Sequence, residues 1–426
     1  MSARIALVHY TAPPVVGGVE AVIGAHAELL AAAGCDVRLV VGRGGRPARP
    51  GIDLVRVPLA DTRHPRIVEA RRALAGGEVP AGFRHLVDEL GQSLEPALEG
   101  CDLVIAHNVV TFHFNLALTA ALQAVALRPG GPRVVAWVHD IAAAEPWYAD
   151  DLHPGWPWDL VRAPWPSVLV VAVSAARRDE LVRHAGLPPE AVRVIPNGTD
   201  PAGRLGLHPA TRRLAGRLDL AGPGPIVLVP SRLTPRKNLE LAIRVLAELA
   251  RRRADARLVV TGALDPHDPG SVAYLGRLRA LAVELDVEQR VMFVSTELAG
   301  SDSPAVVRDL YGLADVLLLT SLDEGFGLPL IEAAVTRLPI VCPAIRSLVE
   351  LAGDGAAFFE PGASPASIAR LIELRLAGDP VHRLAVRVRT ELSWPVVFRD
   401  HIEPLLAELL GPASLHGDRP PVTATT

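Results

Sequence analysis

The sequence predicts a doubly wound α/β fold in two domains, each built on a parallel sheet. Three observations predict it. Short apolar runs alternate with helical periodicity along nearly the whole chain, the pattern of parallel strands joined by crossover helices. At 426 residues the chain is long enough for two domains of ordinary size. A stretch rich in Gly, Pro and Arg, residues 201–224, reads as a linker between a first domain, residues 1–200, and a second, residues 225–392.

Composition narrows the class. Half of the residues are hydrophobic and 4% are aromatic, which suits a globular α/β protein rich in Ala, Leu and Val. A formal charge of −4 gives no reason to expect a nucleic-acid partner. The three cysteines, Cys35, Cys101 and Cys342, lie far apart and show no metal-ligand spacing, which points to a reduced, cytoplasmic setting. The N-terminus opens directly on a strand and lacks the apolar core of a signal peptide. No run of about 18 uncharged apolar residues suggests a membrane span. Peripheral membrane contact is compatible with all of this.

The first half opens with a strand over 4–9, a loop over 11–18 and a helix over 19–33 that stops at Gly34. Gly17 and Gly18 at the helix entrance let the backbone approach an anion closely. They do not form Gly-x-Gly-x-x-Gly, so a nicotinamide fingerprint is absent, and a purely structural turn reads as well. Strands follow over 36–42 and 53–58, then a basic stretch broken by Gly and Pro, then a helix over 83–98. A strand over 102–107 ends in His107-Asn108, a helix covers 114–126, and a strand over 133–139 ends in His139-Asp140. Doubly wound folds keep function at the carboxyl ends of strands, which makes His107, Asn108 and His139 candidates. The competing reading is a strand-end histidine that satisfies a structural hydrogen bond.

Residues 145–166 hold four of the six tryptophans, Trp147, Trp156, Trp158 and Trp165, with Tyr148 and five prolines. The segment is too Pro-rich for a helix. It either stacks a sugar or other acceptor, or packs its aromatics onto the domain. A strand over 168–173 ends in Ser174 and a helix covers 175–184. Ser174 with Arg177 and Arg178 reads as a phosphate holder or as an N-cap among surface charges. A strand over 192–195 closes on the turn signal Pro196-Asn197-Gly198.

The second half restarts with a strand over 226–230, the motif Ser231-Arg-Leu-Thr-Pro-Arg-Lys-Asn238 and a helix over 239–251. Arg232 and Lys237, turned toward the strand end, would place two cations near a helix N-terminus, as a diphosphate requires. A solvated basic loop is the alternative. Strands over 256–261, 290–294, 314–320, 339–343 and 356–359 alternate with helices over 271–285, 305–314 and 347–352, the first of these helices preceded by a loop over 263–270.

After the strand over 314–320 comes Ser321-Leu-Asp-Glu-Gly-Phe-Gly-Leu-Pro-Leu-Ile-Glu332, with seven residues between Glu324 and Glu332. Pro329 suits the first turn of a helix, so Glu324 falls on the loop and Glu332 about one turn into the helix. The two leave the backbone at different places. They therefore touch different parts of one long ligand rather than form an acid–base pair. Free backbone N–H groups between them make an anion site. A ligand with a sugar at one end, phosphates in the middle and a ribose at the other fits that order; a strand–helix turn with surface acids is the bland reading. Helices over 364–392 follow, Ser393-Trp394-Pro395 breaks the pattern, and a last helix runs to 410. The tail, 411–426, is polar and Pro-rich and is expected to be disordered.

These residues together resemble the retaining glycosyltransferases of family four, the glycosyl transferases group 1. The segment from Glu324 to Glu332 resembles that family's glutamate signature, and the segment from Ser231 to Asn238 its diphosphate-binding motif. Gly17-Gly18-Val19-Glu20, His139-Asp140 and Pro196-Asn197-Gly198 fall in matching order. The resemblance covers about residues 1–410 and is diffuse between 43 and 130. It implies the GT-B fold: two Rossmann-like domains with parallel sheets facing across a cleft, the acceptor on the first and the nucleotide-sugar donor mainly in the second. The final helix, 393–410, would cross back to the first domain. Arg232 and Lys237 would hold the diphosphate and stabilise the leaving charge. Backbone amides of Gly325, Phe326, Gly327 and Leu328 would contact sugar and diphosphate, Glu324 the sugar hydroxyls and Glu332 the ribose. Gly17 and Gly18 would approach the donor phosphates. His139 would place the sugar and stabilise the transition state. The acceptor candidates are His107, Asn108, Ser174 and Trp147.

The resemblance implies transfer of a hexose, glucose or mannose, from a nucleotide-diphosphate sugar to a small-molecule or lipid-linked acceptor by front-face attack, with no enzyme nucleophile. No Asp-x-Asp occurs, in keeping with a GT-B enzyme that needs no metal or other cofactor. Two positions depart from the family pattern: Arg337 and Ser295 stand where glycine is frequent. The alternatives are a sugar phosphorylase or nucleotide-sugar epimerase on the same fold, and a non-catalytic nucleotide-sugar binding protein.

Overall fold

The computed structural model describes residues 2–47, 49–162, 165–166, 168–217, 224–262, 270–297 and 303–411. The chain divides into two compact units, residues 1–198 with 394–426, and residues 199–393.

In unit 1 the strands are β1 (Arg4–Thr11), β2 (Asp36–Arg43), β3 (Ile52–Arg56), β4 (Leu103–His107), β5 (Arg133–Val138), β6 (Val168–Ala172) and β7 (Val192–Val194). They form one sheet in the order β3-β2-β1-β4-β5-β6-β7, with every recorded pairing parallel. β1 lies centrally, with Ile5 opposite Val37 on one side and Leu103 on the other. Both faces of a parallel sheet are covered by helices, so its strands are near-continuous apolar runs. The helices Phe83–Leu98 and Leu116–Ala126 bury Leu90, Leu94 and Leu118 on one face. On the other, the helix Gly18–Ala32 packs Ile23, Ala27 and Leu30 against Ile5, Leu7 and Val37. The final segment joins that same face: Val397, Ile402, Leu405 and Leu406 belong to the cluster. Arg193 pairs with Glu408 at 2.8 Å, and Trp394 packs edge-on to His26. After unit 2 the described chain thus returns to unit 1.

Unit 2 repeats the plan. β8 (Ile226–Val229), β9 (Arg257–Val260), β10 (Val291–Phe293), β11 (Val316–Leu318), β12 (Ile340–Pro343) and β13 (Ala357–Phe359) form a parallel sheet in the order β10-β9-β8-β11-β12-β13. The two sheets are those of two Rossmann-like α/β domains.

Prolines misled the sequence reading in two places. Residues 65–75, read as part of a broken basic stretch, form the helix Pro65–Ala75. Residues 201–217, read as linker, form the helices Pro201–Arg204 and Pro209–Arg217. Each of the three starts on a proline, which suits the first turn of a helix as well as it interrupts the interior. The Pro209–Arg217 helix belongs to unit 2: Leu214 is buried in one cluster with Leu310 and Tyr311, and Asp309 accepts from Thr211 Oγ1 at 2.7 Å. The rest of the expected linker, 218–223, most of the loop over 263–270 and the tail from 412 lie outside the described residues. Among the described residues, no helix is long and apolar enough to cross a membrane.

Candidate functional site

The sheet of unit 2 reverses its winding between β8 and β11, and the loops leaving the carboxyl ends of these two strands flank the crevice where doubly wound folds bind ligands. The first loop carries Arg232 and Lys237, the second Glu324. Three hydrogen bonds lock the loops together. Leu322 N donates to Arg236 O at 2.9 Å, Arg236 donates to Asp323 O at 3.0 Å, and Thr320 Oγ1 donates to Lys237 O at 2.8 Å.

That locking brings Lys237 Nζ onto Glu324 Oε1. The side chains are 14% and 8% exposed. Ser321 Oγ donates to the same carboxylate oxygen at 2.7 Å, and Ser347 Oγ donates to the Glu324 carbonyl at 2.5 Å. Glu324 Oε2 has no partner among the described residues. Nor has the exposed side chain of Arg232. Beyond Glu324 the chain turns at Gly327, whose φ of +94° favours glycine and where an added Cβ would come within 2.6 Å of Leu348 Cδ2. The helix Leu328–Thr336 starts there. The amides of Gly325, Phe326, Gly327 and Leu328 donate to no acceptor among the described residues. Among the described residues, unit 2 therefore combines a cation without a partner, a buried cation–carboxylate pair and unpaired amides at a helix N-terminus, a set suited to a diphosphate. Glu332, on the exposed side of that helix, accepts a hydrogen bond from Tyr311 Oη. Burial and this carboxylate together push the Tyr311 hydroxyl pKa up.

One signal in the sequence went unread. The chain holds 43 basic side chains, and Lys237 is its single lysine. An ammonium is a compact point charge on a flexible stem, whereas a guanidinium is a planar fork. A chain otherwise entirely arginine in its cations keeps the point charge at the one position where the cation is buried against Glu324.

In unit 1 the loops after β4 and β5 are joined through His107 and Asn108. Asn108, at φ +59°, accepts on Oδ1 from the amides of His139 at 2.8 Å and Asp140 at 3.0 Å, and donates Nδ2 to Asp140 Oδ2 at 2.9 Å. His107 Nδ1 lies 3.1 Å from His139 Nε2, and His9 Nδ1 donates to His107 O at 2.7 Å. Burial pushes the His139 pKa down to about 4 and that of His26 to about 3. It pushes His107 well below the ordinary value and lowers His9 as well. The cluster is neutral at pH 7.

The remaining candidates divide. His107 is 0% exposed and Asn108 5%, so the acceptor contact expected of His107 is sterically closed to it; both residues instead hold His139. Ser174 caps the helix Ala175–Ala185, accepting from Arg177 N at 3.2 Å, and Arg177 is engaged by Glu145 and Glu180. Trp158 and Trp165 are buried and Trp156 lies beneath Arg84, whereas Trp147 is 70% exposed. Gly18 has open space around it, but a side chain at Gly17 would meet Glu20, whose carboxylate accepts from Thr11 Oγ1 at 2.5 Å. Arg337 holds a left-handed φ of +59° at the C-cap of Leu328–Thr336, the conformation glycine adopts most cheaply. Ser295 Oγ donates to Gly262 O at 2.9 Å.

Sequence comparison places the chain in a family. Residues 213–388 match the family described as glycosyl transferases group 1, and residues 16–202 match glycosyltransferase family 4. The chain belongs to this family of glycosyltransferases. A D-inositol 3-phosphate glycosyltransferase from Kineococcus radiotolerans is 32% identical over 235 residues, 52% of this chain and 51% of its own. A GDP-mannose-dependent alpha-(1-6)-phosphatidylinositol monomannoside mannosyltransferase from Mycolicibacterium smegmatis is 30% identical over 258 residues, 59% of this chain and 63% of its own. The chain thus spans about half the length of the curated relatives it matches. Among solved structures, a glycosyltransferase from Rickettsia africae aligns over 96% of this chain and 98% of its own at 16% identity, with a TM-score of 0.35.

Proposed function

We propose that this chain is a retaining hexosyltransferase that moves glucose or mannose from a nucleotide-diphosphate sugar to a small-molecule or lipid-linked acceptor, without a metal. The observation that carries the reading is the cation set of unit 2: Lys237 on Glu324, with Arg232 and the amides from Gly325 to Leu328 lacking a partner among the described residues. Family membership and the relatives' names support it. One relative is named for a small polyol phosphate and another for a lipid-linked acceptor with GDP-mannose as donor.

In this reading the C1–O bond to the donor phosphate breaks as the acceptor oxygen bonds C1 from the same face. The acceptor proton passes to the departing phosphate oxygen. Arg232, Lys237 and the amides receive the charge that develops on the diphosphate, and need not reorganise to do so. Glu324 offers Oε2 to sugar hydroxyls, and Glu332 would exchange Tyr311 for a ribose. In unit 1, His139 is assigned the placing of the sugar, and Gly17 and Gly18 the approach to the phosphates. The test is incubation with labelled nucleotide sugars and polyol-phosphate or lipid-linked acceptors in EDTA. The reading expects nucleoside diphosphate and an α-linked product from an α-linked donor. An inverted product, or turnover only with inorganic phosphate, would overturn it.

A further inference from the structure

The buried end of β4 carries a group that the proposed chemistry leaves unused. His107 is fully enclosed, and its ring touches the surroundings through one polar contact, Nδ1 to His139 Nε2 at 3.1 Å. Its Nε2 is buried without any partner, and its ring packs against those of His26 and Trp137. A neutral imidazole carries one proton, on one of two nitrogens. The bond between two neutral rings needs one donor and one acceptor. If His139 donated, His107 would carry its own proton on Nε2, leaving a buried N–H with no acceptor, an arrangement folded proteins rarely tolerate. If His107 donates from Nδ1, the buried Nε2 is a bare lone pair, and His139 keeps its proton on Nδ1.

We propose that His107 is a positioning residue: by donating Nδ1–H to His139 Nε2, it fixes His139 as a neutral ring that presents an Nδ1–H donor. The inference rests on the role assigned to His139 in the proposed function. The backbone supports it. Asn108 holds the amides of His139 and Asp140, and His9 holds the carbonyl of His107, so the ends of β1, β4 and β5 are tied at the point where the two rings meet. The reaction needs no proton transfer through the pair; the tautomer decides only which polar atom His139 offers a ligand.

The test is nitrogen-15 NMR of the full chain labelled at histidine, which reads tautomers without any substrate. In the wild type, His139 should show protonated Nδ1 and bare Nε2. His107→Phe keeps the ring volume and removes the donor; it should mix the His139 tautomers and lower kcat roughly ten- to a hundredfold, with donor KM within about twofold. His107→Asn places an amide near the lost Nδ1 and should recover most of both losses. A wild-type His139 protonated on Nε2 would overturn the proposal, as would an unchanged tautomer with full kcat in His107→Phe. If the wild type turns over no nucleotide sugar, the functional reading fails, while the NMR result still decides the tautomer.

Discussion

Lys237 and Glu324, 87 residues apart in sequence, form a buried ion pair between the loops leaving β8 and β11. The pair sits where the winding of the sheet reverses, on the same two loops as Arg232 and the amides of 325–328, which have no partner among the described residues. Removing water from two charges is expensive, and a pair retained under that cost is poor evidence for stability alone.

Deleting either partner strands the other charge. Lys237→Ala and Glu324→Ala should each lower turnover by roughly two to three orders of magnitude and destabilise unit 2 by about 3 kcal/mol. The double variant Lys237→Met with Glu324→Leu should recover most of the stability and none of the activity. Denaturant unfolding together with initial rates checks both halves; activity returning with stability would make the pair merely structural.

Lys237→Arg should also fail, because a forked guanidinium does not fit the slot of a point charge. The single lysine also gives a chemical probe. Reductive methylation followed by mass spectrometry should modify Lys237 and the α-amine, and a nucleoside diphosphate should protect Lys237 alone. Equal labelling with and without nucleotide would place the ligand elsewhere.

Acid should weaken unit 1. The folded pKa of His139 is pushed down to about 4 and that of His26 to about 3, by burial first. A base with a depressed folded pKa leaves stability intact above its unfolded value, near 6.5, and loses it as pH falls toward the folded value. Each such histidine contributes a slope of up to about 1.4 kcal/mol per pH unit in that window. All six tryptophans belong to unit 1, so tryptophan fluorescence reads its unfolding selectively. The denaturant midpoint should fall between pH 7 and pH 4, and His26→Phe, which removes a buried unpartnered nitrogen, should flatten the fall. A midpoint independent of pH would contradict the burial of the cluster.

Arg337→Gly should stabilise unit 2 by about 1 kcal/mol, because it relieves a left-handed residue at a helix end. Thermal unfolding monitored by calorimetry checks it, and a lower Tm would show that the arginine side chain outweighs its backbone strain.

The strands were legible because strands buried on both faces are unbroken apolar runs; 133–138 and 226–229 needed no other signal. The loops that carry Lys237 and Glu324 were legible because their residue types recur at fixed spacing. Helices that open on Pro65, Pro201 and Pro209 were not, since proline both begins and breaks helices. The role of His107 was illegible for a different reason. Whether a strand-end histidine faces a ligand or another histidine depends on burial and on the partner strand, here β5, and neither is written in the local pattern. Arg337 lay between these cases: its departure from glycine was visible, and only its φ explains why glycine is common there.

The most direct measurement of the central claim is calorimetric titration of the full chain with uridine, guanosine and adenosine diphosphates in EDTA, repeated on Lys237→Ala. A nucleotide-sugar donor site predicts that at least one of them binds with Kd on the order of micromolar, and that the lysine substitution weakens it by about tenfold or more. Failure of all three to bind at millimolar concentration, or binding that Lys237→Ala leaves unchanged, would contradict it.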